Sequence, residues 1–199
     1  MVHVSYPDNK THKKKFLSLG AVSALAPLLH QCIDERTRHN ACCALSELAF
    51  QDADLSLAIA NHAEIPIRLV YLLHPSAGWT QEDAARIINN CAAFCEAASP
   101  TLASFPGLLE GLAAMAEQSS VPDVRHIATS ALNALSRSPG ARAAMSACRP
   151  LRRALAAALA EPGASERRAA TRAAAAMALA NLTGHAIAID DPRWKAVIG

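Results

Sequence analysis

One twelve-residue pattern recurs along this 199-residue chain and constrains the fold more tightly than any other feature. Segments 38–49 and 125–136 both open with Arg-His. They place Ala41 and Ala128, Ala44 and Ala131, Leu45 and Leu132, and Leu48 and Leu135 at identical offsets. Segment 172–183 keeps Arg172, Ala178, Leu179 and Leu182, and segment 87–98 offers Ala93-Phe94 where the others carry Ala-Leu. The large residues that mark the pattern are therefore Leu45, Phe94, Leu132 and Leu179, separated by 49, 38 and 47 positions. Spacings of about 40–47 residues belong to stacked helical units.

The composition around the pattern favours helix. Apolar residues make up 52% of the chain but aromatics only 4%, so Leu, Ala, Ile and Val must fill the core. Alanine has the highest helix propensity, and small side chains let helices approach closely. Ahead of each long segment lies a second apolar run: 21–30, 65–73, 105–115 and 151–159. Ahead of most of these lies a shorter one: 14–19, 55–61 and 141–147. A short, a medium and a long helix per unit give an all-α solenoid. Each unit carries apolar faces that it covers only by stacking on its neighbours.

These residues resemble the armadillo repeat family. Segment 9–29, with Gly20 ahead of Ala21-Val22 and Leu25 before Leu28-Leu29, is similar to the family's junction between its first and second helices. Segment 63–73 looks like a second copy, and Ala178-Leu-Ala-Asn-Leu182 resembles the end of the family's third helix. The resemblance covers residues 9–184 and implies a right-handed α-solenoid of about four three-helix repeats. The units would span 9–50, 51–98, 99–138 and 139–184, with 185–199 a tail or partial repeat. HEAT repeats, with two helices per unit, are the alternative at this level. Pro7 to Thr11 reads as the linker after a preceding third helix, which suggests a piece of a longer array or divergent caps.

The resemblance also implies that third helices line a concave face that holds a protein or peptide. In the nuclear-import members, Trp and Asn two residues either side of the anchor grip an extended backbone. Those positions here are Cys43 and Glu47, Ala92 and Glu96, Ser130 and Ala134, and Met177 and Asn181. Only Asn181 matches, so the scaffold carries over and the import cargo does not. With His39 and His126 one turn earlier on the same face, the expected binding stripe is His39, Glu47, Glu96, His126, Ser130 and Asn181. The competing reading is a solvated face that every amphipathic helix needs.

Charge is polarised along the chain although the net charge is only +2. Residues 47–120 carry two Lys/Arg against nine Asp/Glu, and residues 140–199 carry nine against four. An acidic middle favours a basic protein partner. Arg149, Arg152 and Arg153, with Arg168 and Arg172, form a candidate basic patch, read either as an acidic-ligand or nucleic-acid site or as a solubilising surface. Nucleic acid is disfavoured because residues 140–199 offer only Trp194 for stacking. Lys13 to Lys15 reads as a weak localisation signal or a plain solvated run. Trp79 reads as an exposed anchor or as packing over helix ends.

No chemistry emerges from the remaining motifs. The sequence lacks a nucleophile elbow, a phosphate loop and a dinucleotide fingerprint, and it implies no cofactor. Cys91 and Cys95 share a helix face but lack the second ligand pair of a structural zinc site, so no metal site is expected. The six cysteines fit reduced, mostly buried thiols. The start lacks a secretory pattern and no apolar run approaches the ~20 residues that span a bilayer. The expectation is a non-enzymatic scaffold, cytoplasmic with the nucleus as the alternative, that binds a protein or peptide away from membranes. A nucleic-acid or acidic-ligand binder using the basic C-terminal third is the alternative.

Overall fold

The computed structural model describes residues 9–30, 33–163 and 165–185. Pro7 and Asp8 of the expected linker, Cys32, and the tail from residue 186 onward, Trp194 included, lie outside the described residues. The described residues form twelve α-helices and two 3-10 turns, with no strand.

The helices come as four successions of three in which the third is always the longest. By place they are the short, medium and long helices, although α1 exceeds α2 and α4 equals α5 in length. The first is α1 (Asn9–Ser18), α2 (Ala21–Leu25) and α3 (Glu35–Ala49). The second is α4 (Ala53–Ala60), α5 (Ile65–Leu72) and α6 (Thr80–Phe94). The third is α7 (Ala98–Ser104), α8 (Leu108–Gln118) and α9 (Pro122–Ser136), and the fourth α10 (Pro139–Ala147), α11 (Arg149–Leu159) and α12 (Glu166–Thr183). Like packs on like. The long helices form one ladder (α3 on α6, α6 on α9, α9 on α12), the short helices a second (α1, α4, α7, α10), and α5, α8 and α11 a third, on which the 3-10 turn after α2 packs at α5. This is an all-α solenoid whose core is shared between neighbours.

Local sequence sets the helix ends. Pro66, Pro122, Pro139 and Pro150 all stand at the first or second position of a helix, where the missing N–H would be unpaired anyway. Pro27 stands two residues past the end of α2, and the chain continues there as a 3-10 turn, Ala26–Leu29. Asp34 and Asp52 accept the backbone N–H of Thr37 and Leu55 at 2.9 and 3.0 Å, capping α3 and α4. Gly184 closes α12 at φ +72°, the left-handed conformation that glycine adopts without strain. At Gly111 of α8 an added Cβ would stand 2.9 Å from Leu73 Cδ1, so the glycine permits close approach to the end of α5.

The third succession also opens with a short helix, α7, with Pro100 in its first turn, where its ring is tolerated. One expectation needs correction. The anchor in α6 is Ile88 rather than Phe94. Ile88 is fully buried, as are Leu45 and Leu132, and Leu179 is nearly so, whereas Phe94 ends the helix half-exposed with its ring edge on Phe50. With Ile88, Ala84 and Ala92 fall opposite Ala41 and Ala49, and the anchor spacings become 43, 44 and 47.

The shared core predicts a sharp contrast. Leu132→Ala removes a side chain with no exposure and should cost about 2–5 kcal/mol in chemical denaturation. Leu19→Ala, at a position 70% exposed, should cost under about 0.5 kcal/mol.

Candidate partner-binding groove

Stacking of the long helices creates a groove of about 410 Å3 that crosses all four of them. Glu47 of α3, Glu82, Arg86 and Asn89 of α6, Asp123 and His126 of α9, and Arg167 of α12 line it. Its charges are partly neutralised within the protein. Arg86 pairs with Glu82 one turn away, and Arg167 Nε lies 2.6 Å from Asp123 Oδ1 across α9 and α12. Both pairs are solvent-accessible and contribute little to stability. Glu47 is exposed and makes no ion pair among the described residues.

Polar side chains, Ser46, Asn90 and His126 of the groove lining among them, fasten the ladder. Asn90 donates from Nδ2 to both the carbonyl and the hydroxyl of Ser46, each at 3.0 Å. Asn181 donates to Ser136 Oγ at 3.0 Å, and Thr171 Oγ1 lies 3.3 Å from His126 Nδ1. His39 Nδ1 stands 2.6 Å from Asp83 Oδ2, joining α3 to α6. Burial holds the His126 imidazole below its ordinary pKa, with Arg167 adding to the shift and Asp123 opposing it.

The structure brings only part of the expected stripe together. Glu47 and His126 line the groove. His39 is half-exposed and engaged with Asp83, Ser130 is half-buried, and Asn181 is turned to its neighbour Ser136. Glu96 is not on a third helix at all. Cys95 leaves the helical conformation (φ −142°), and Glu96 sits exposed in the turn before α7, beside a smaller cavity with Ser99 and Arg137. Sequence reasoning missed Glu82, Arg86, Asn89, Asp123 and Arg167. The correct anchor would have found two neighbours, since Arg86 and Asn90 flank Ile88 at the two ladder positions.

The candidate basic patch is divided. Arg153 pairs with Glu117 at 2.8 Å, and Arg168 with Glu161 at 3.2 Å. Arg125 also pairs with Glu161, a carboxylate only 8% exposed. Arg172 donates to the carbonyls of Glu161 and Gly163 at 3.1 and 2.7 Å, closing the loop before α12. Arg149 and Arg152 remain exposed without an ion pair among the described residues. Lys13 is buried, donating to the Phe50 carbonyl at the end of α3, so the lysine run is not uniformly solvated. Trp79 is 74% exposed, which excludes packing over the helix ends. The thiols of Cys42 and Cys91 are pushed up to about 12 by burial, as befits core residues.

The comparisons agree with this architecture. Residues 10–50 match the model of the family described as Armadillo/beta-catenin-like repeat. Two solved structures of engineered proteins share the fold, each at a TM-score of 0.74 and 25% identity over 87% of this chain. The chain spans 66% of the length of one and 40% of the other. Comparison with curated proteins gives no match. Among the described residues no helix is long and apolar enough to cross a membrane.

Two measurements probe these interactions. Glu161→Gln should cost about 3 kcal/mol in denaturant unfolding, because it strands two guanidiniums around a buried site, while Arg149→Ala should be nearly neutral. For His126 the folded pKa lies below the unfolded one, so the unfolded chain takes up the proton first as pH falls. Its contribution to stability is therefore present above the unfolded pKa of about 6.5 and declines below it. His126→Asn should flatten the pH dependence of stability between about pH 7 and 5.

Proposed function

We propose that this chain is a non-enzymatic scaffold that holds an extended segment of a protein partner in the groove across α3, α6, α9 and α12. The observation that carries this reading is the continuity of the groove over all four long helices, with polar and charged side chains offered from each. The armadillo repeat at residues 10–50 supports a protein-binding role. Repeats bounded at 9–50, 51–98, 99–138 and 139–184 would each contribute their long helix to the groove.

The partner should be basic where it meets α3. Glu47 is exposed there and makes no ion pair among the described residues, while Glu82 is paired with Arg86. Toward α12 the groove turns mixed, with Asp123 and Arg167 already paired, so long-range attraction is weaker there. The nucleic-acid alternative loses ground because Arg153, Arg168 and Arg172 are engaged within the protein.

Selection of a random peptide library against the intact chain tests the reading. Selected peptides should carry Lys or Arg and lose at least tenfold in affinity on Glu47→Lys. Arg149→Glu with Arg152→Glu should leave their affinity unchanged. Peptides insensitive to Glu47→Lys, or polynucleotide binding with a steep salt dependence lost in the double arginine variant, would contradict it.

A further inference from the structure

Beside the groove, three side chains of different chemistry converge on one point between α3 and α6. His39 and Cys43 are four residues apart on α3 and so share a face one turn apart. Asp83 reaches them from α6 with its carboxylate almost fully buried. One donor atom from each residue lies within 4.8 Å of the others. His39 Nδ1 stands 2.6 Å from Asp83 Oδ2 and 3.9 Å from Cys43 Sγ. Cys43 is half-exposed, whereas Cys42, Cys91, Cys95 and Cys148 are buried.

The geometry points to a zinc-binding site in which His39, Cys43 and Asp83 are ligands that tie α3 to α6. Imidazole, thiolate and carboxylate together suit zinc, while calcium and magnesium require oxygen ligands. Zinc bonds of about 2.0–2.3 Å in a tetrahedron set ligand atoms about 3.3–3.6 Å apart. With Nδ1 as the His39 ligand atom, Cys43 Sγ stands 3.9 Å from it, a few tenths of an ångström wider than that spacing. The His39–Asp83 hydrogen bond is shorter, and binding would open it by under about 1 Å at side-chain tips, His39 being 40% exposed. The thiol proton leaves to solvent as the thiolate binds, and three protein ligands leave the fourth position to water.

The surroundings favour a cation. Glu47 lies one turn beyond Cys43 on α3, and Glu82 precedes Asp83, with Arg86 already paired to Glu82. Without zinc, the His39–Asp83 bond is simply one rung of the polar ladder, so the two readings differ in what they bind. The inference is independent of the groove's partner: loss of the site would leave the groove's lining in place.

Cobalt and zinc titrations of the reduced, metal-free chain distinguish them. The site predicts one equivalent of cobalt bound with a sulfur-to-cobalt charge-transfer band, displaced by one equivalent of zinc. Cys43→Ser should abolish the band. Asp83→Asn and His39→Ala should each weaken zinc at least tenfold, with helical circular dichroism unchanged, and Cys148→Ser should bind as the parent does. A band that persists in Cys43→Ser, the absence of any band, or zinc affinities within twofold across the Cys43, His39 and Asp83 variants would overturn the proposal.

Discussion

Everything in this structure depends on how closely the long helices stack. Ala41, Ala84, Ala85, Ala128, Ala131, Ala175 and Ala178 are buried in α3, α6, α9 and α12, and their small side chains let the backbones approach. Between them Leu45, Ile88, Leu132 and Leu179 supply the apolar volume. Alanine also loses no side-chain entropy on burial, so a chain with few aromatics can still form an ordered core. No succession of three helices covers its own apolar surface; the neighbour does. The groove is a by-product of that stacking, because the positions that do not face a neighbour come into line along the long helices.

Direct side-chain hydrogen bonds qualify this apolar packing unevenly. Asn90 with Ser46 and His39 with Asp83 fasten α3 to α6, and Asn181 with Ser136 and Thr171 with His126 fasten α9 to α12. Among the described residues no such bond joins α6 to α9, whose contact is apolar. Buried polar pairs contribute modestly to net stability but penalise misalignment heavily, since a slipped register strands a donor. The outer steps of the ladder are therefore fixed in register by chemistry and the central one by shape.

The fold was legible in the sequence because a stacked helix needs the same small and large residues at the same offsets in each copy. Arg38-His39 and Arg125-His126, with their trailing alanines and leucines, carried that information directly. It failed where one copy changed its vocabulary. In α6 the anchor is Ile88, and Ala93-Phe94 six residues later imitates Ala-Leu at a helix end. That one shift carried the binding stripe with it, placing Glu96 in the groove and leaving out Arg86 and Asn90. The site was less legible than the fold because its pairings join residues far apart in sequence. Asp83 meets His39 and Glu161 meets Arg125 at separations of 44 and 36, set by packing rather than by any local motif. The same holds for the basic patch, where Arg168 and Arg172 are spent on Glu161 and the loop carbonyls.

The central claim is that four stacked long helices present one continuous docking surface. A crystal structure of the chain with a bound partner segment tests it most directly. The account predicts a segment that crosses α3, α6, α9 and α12, with a basic side chain at Glu47 and its backbone within hydrogen-bonding reach of Asn89. A segment seated on the medium helices α5, α8 and α11, with the groove left open, would contradict it.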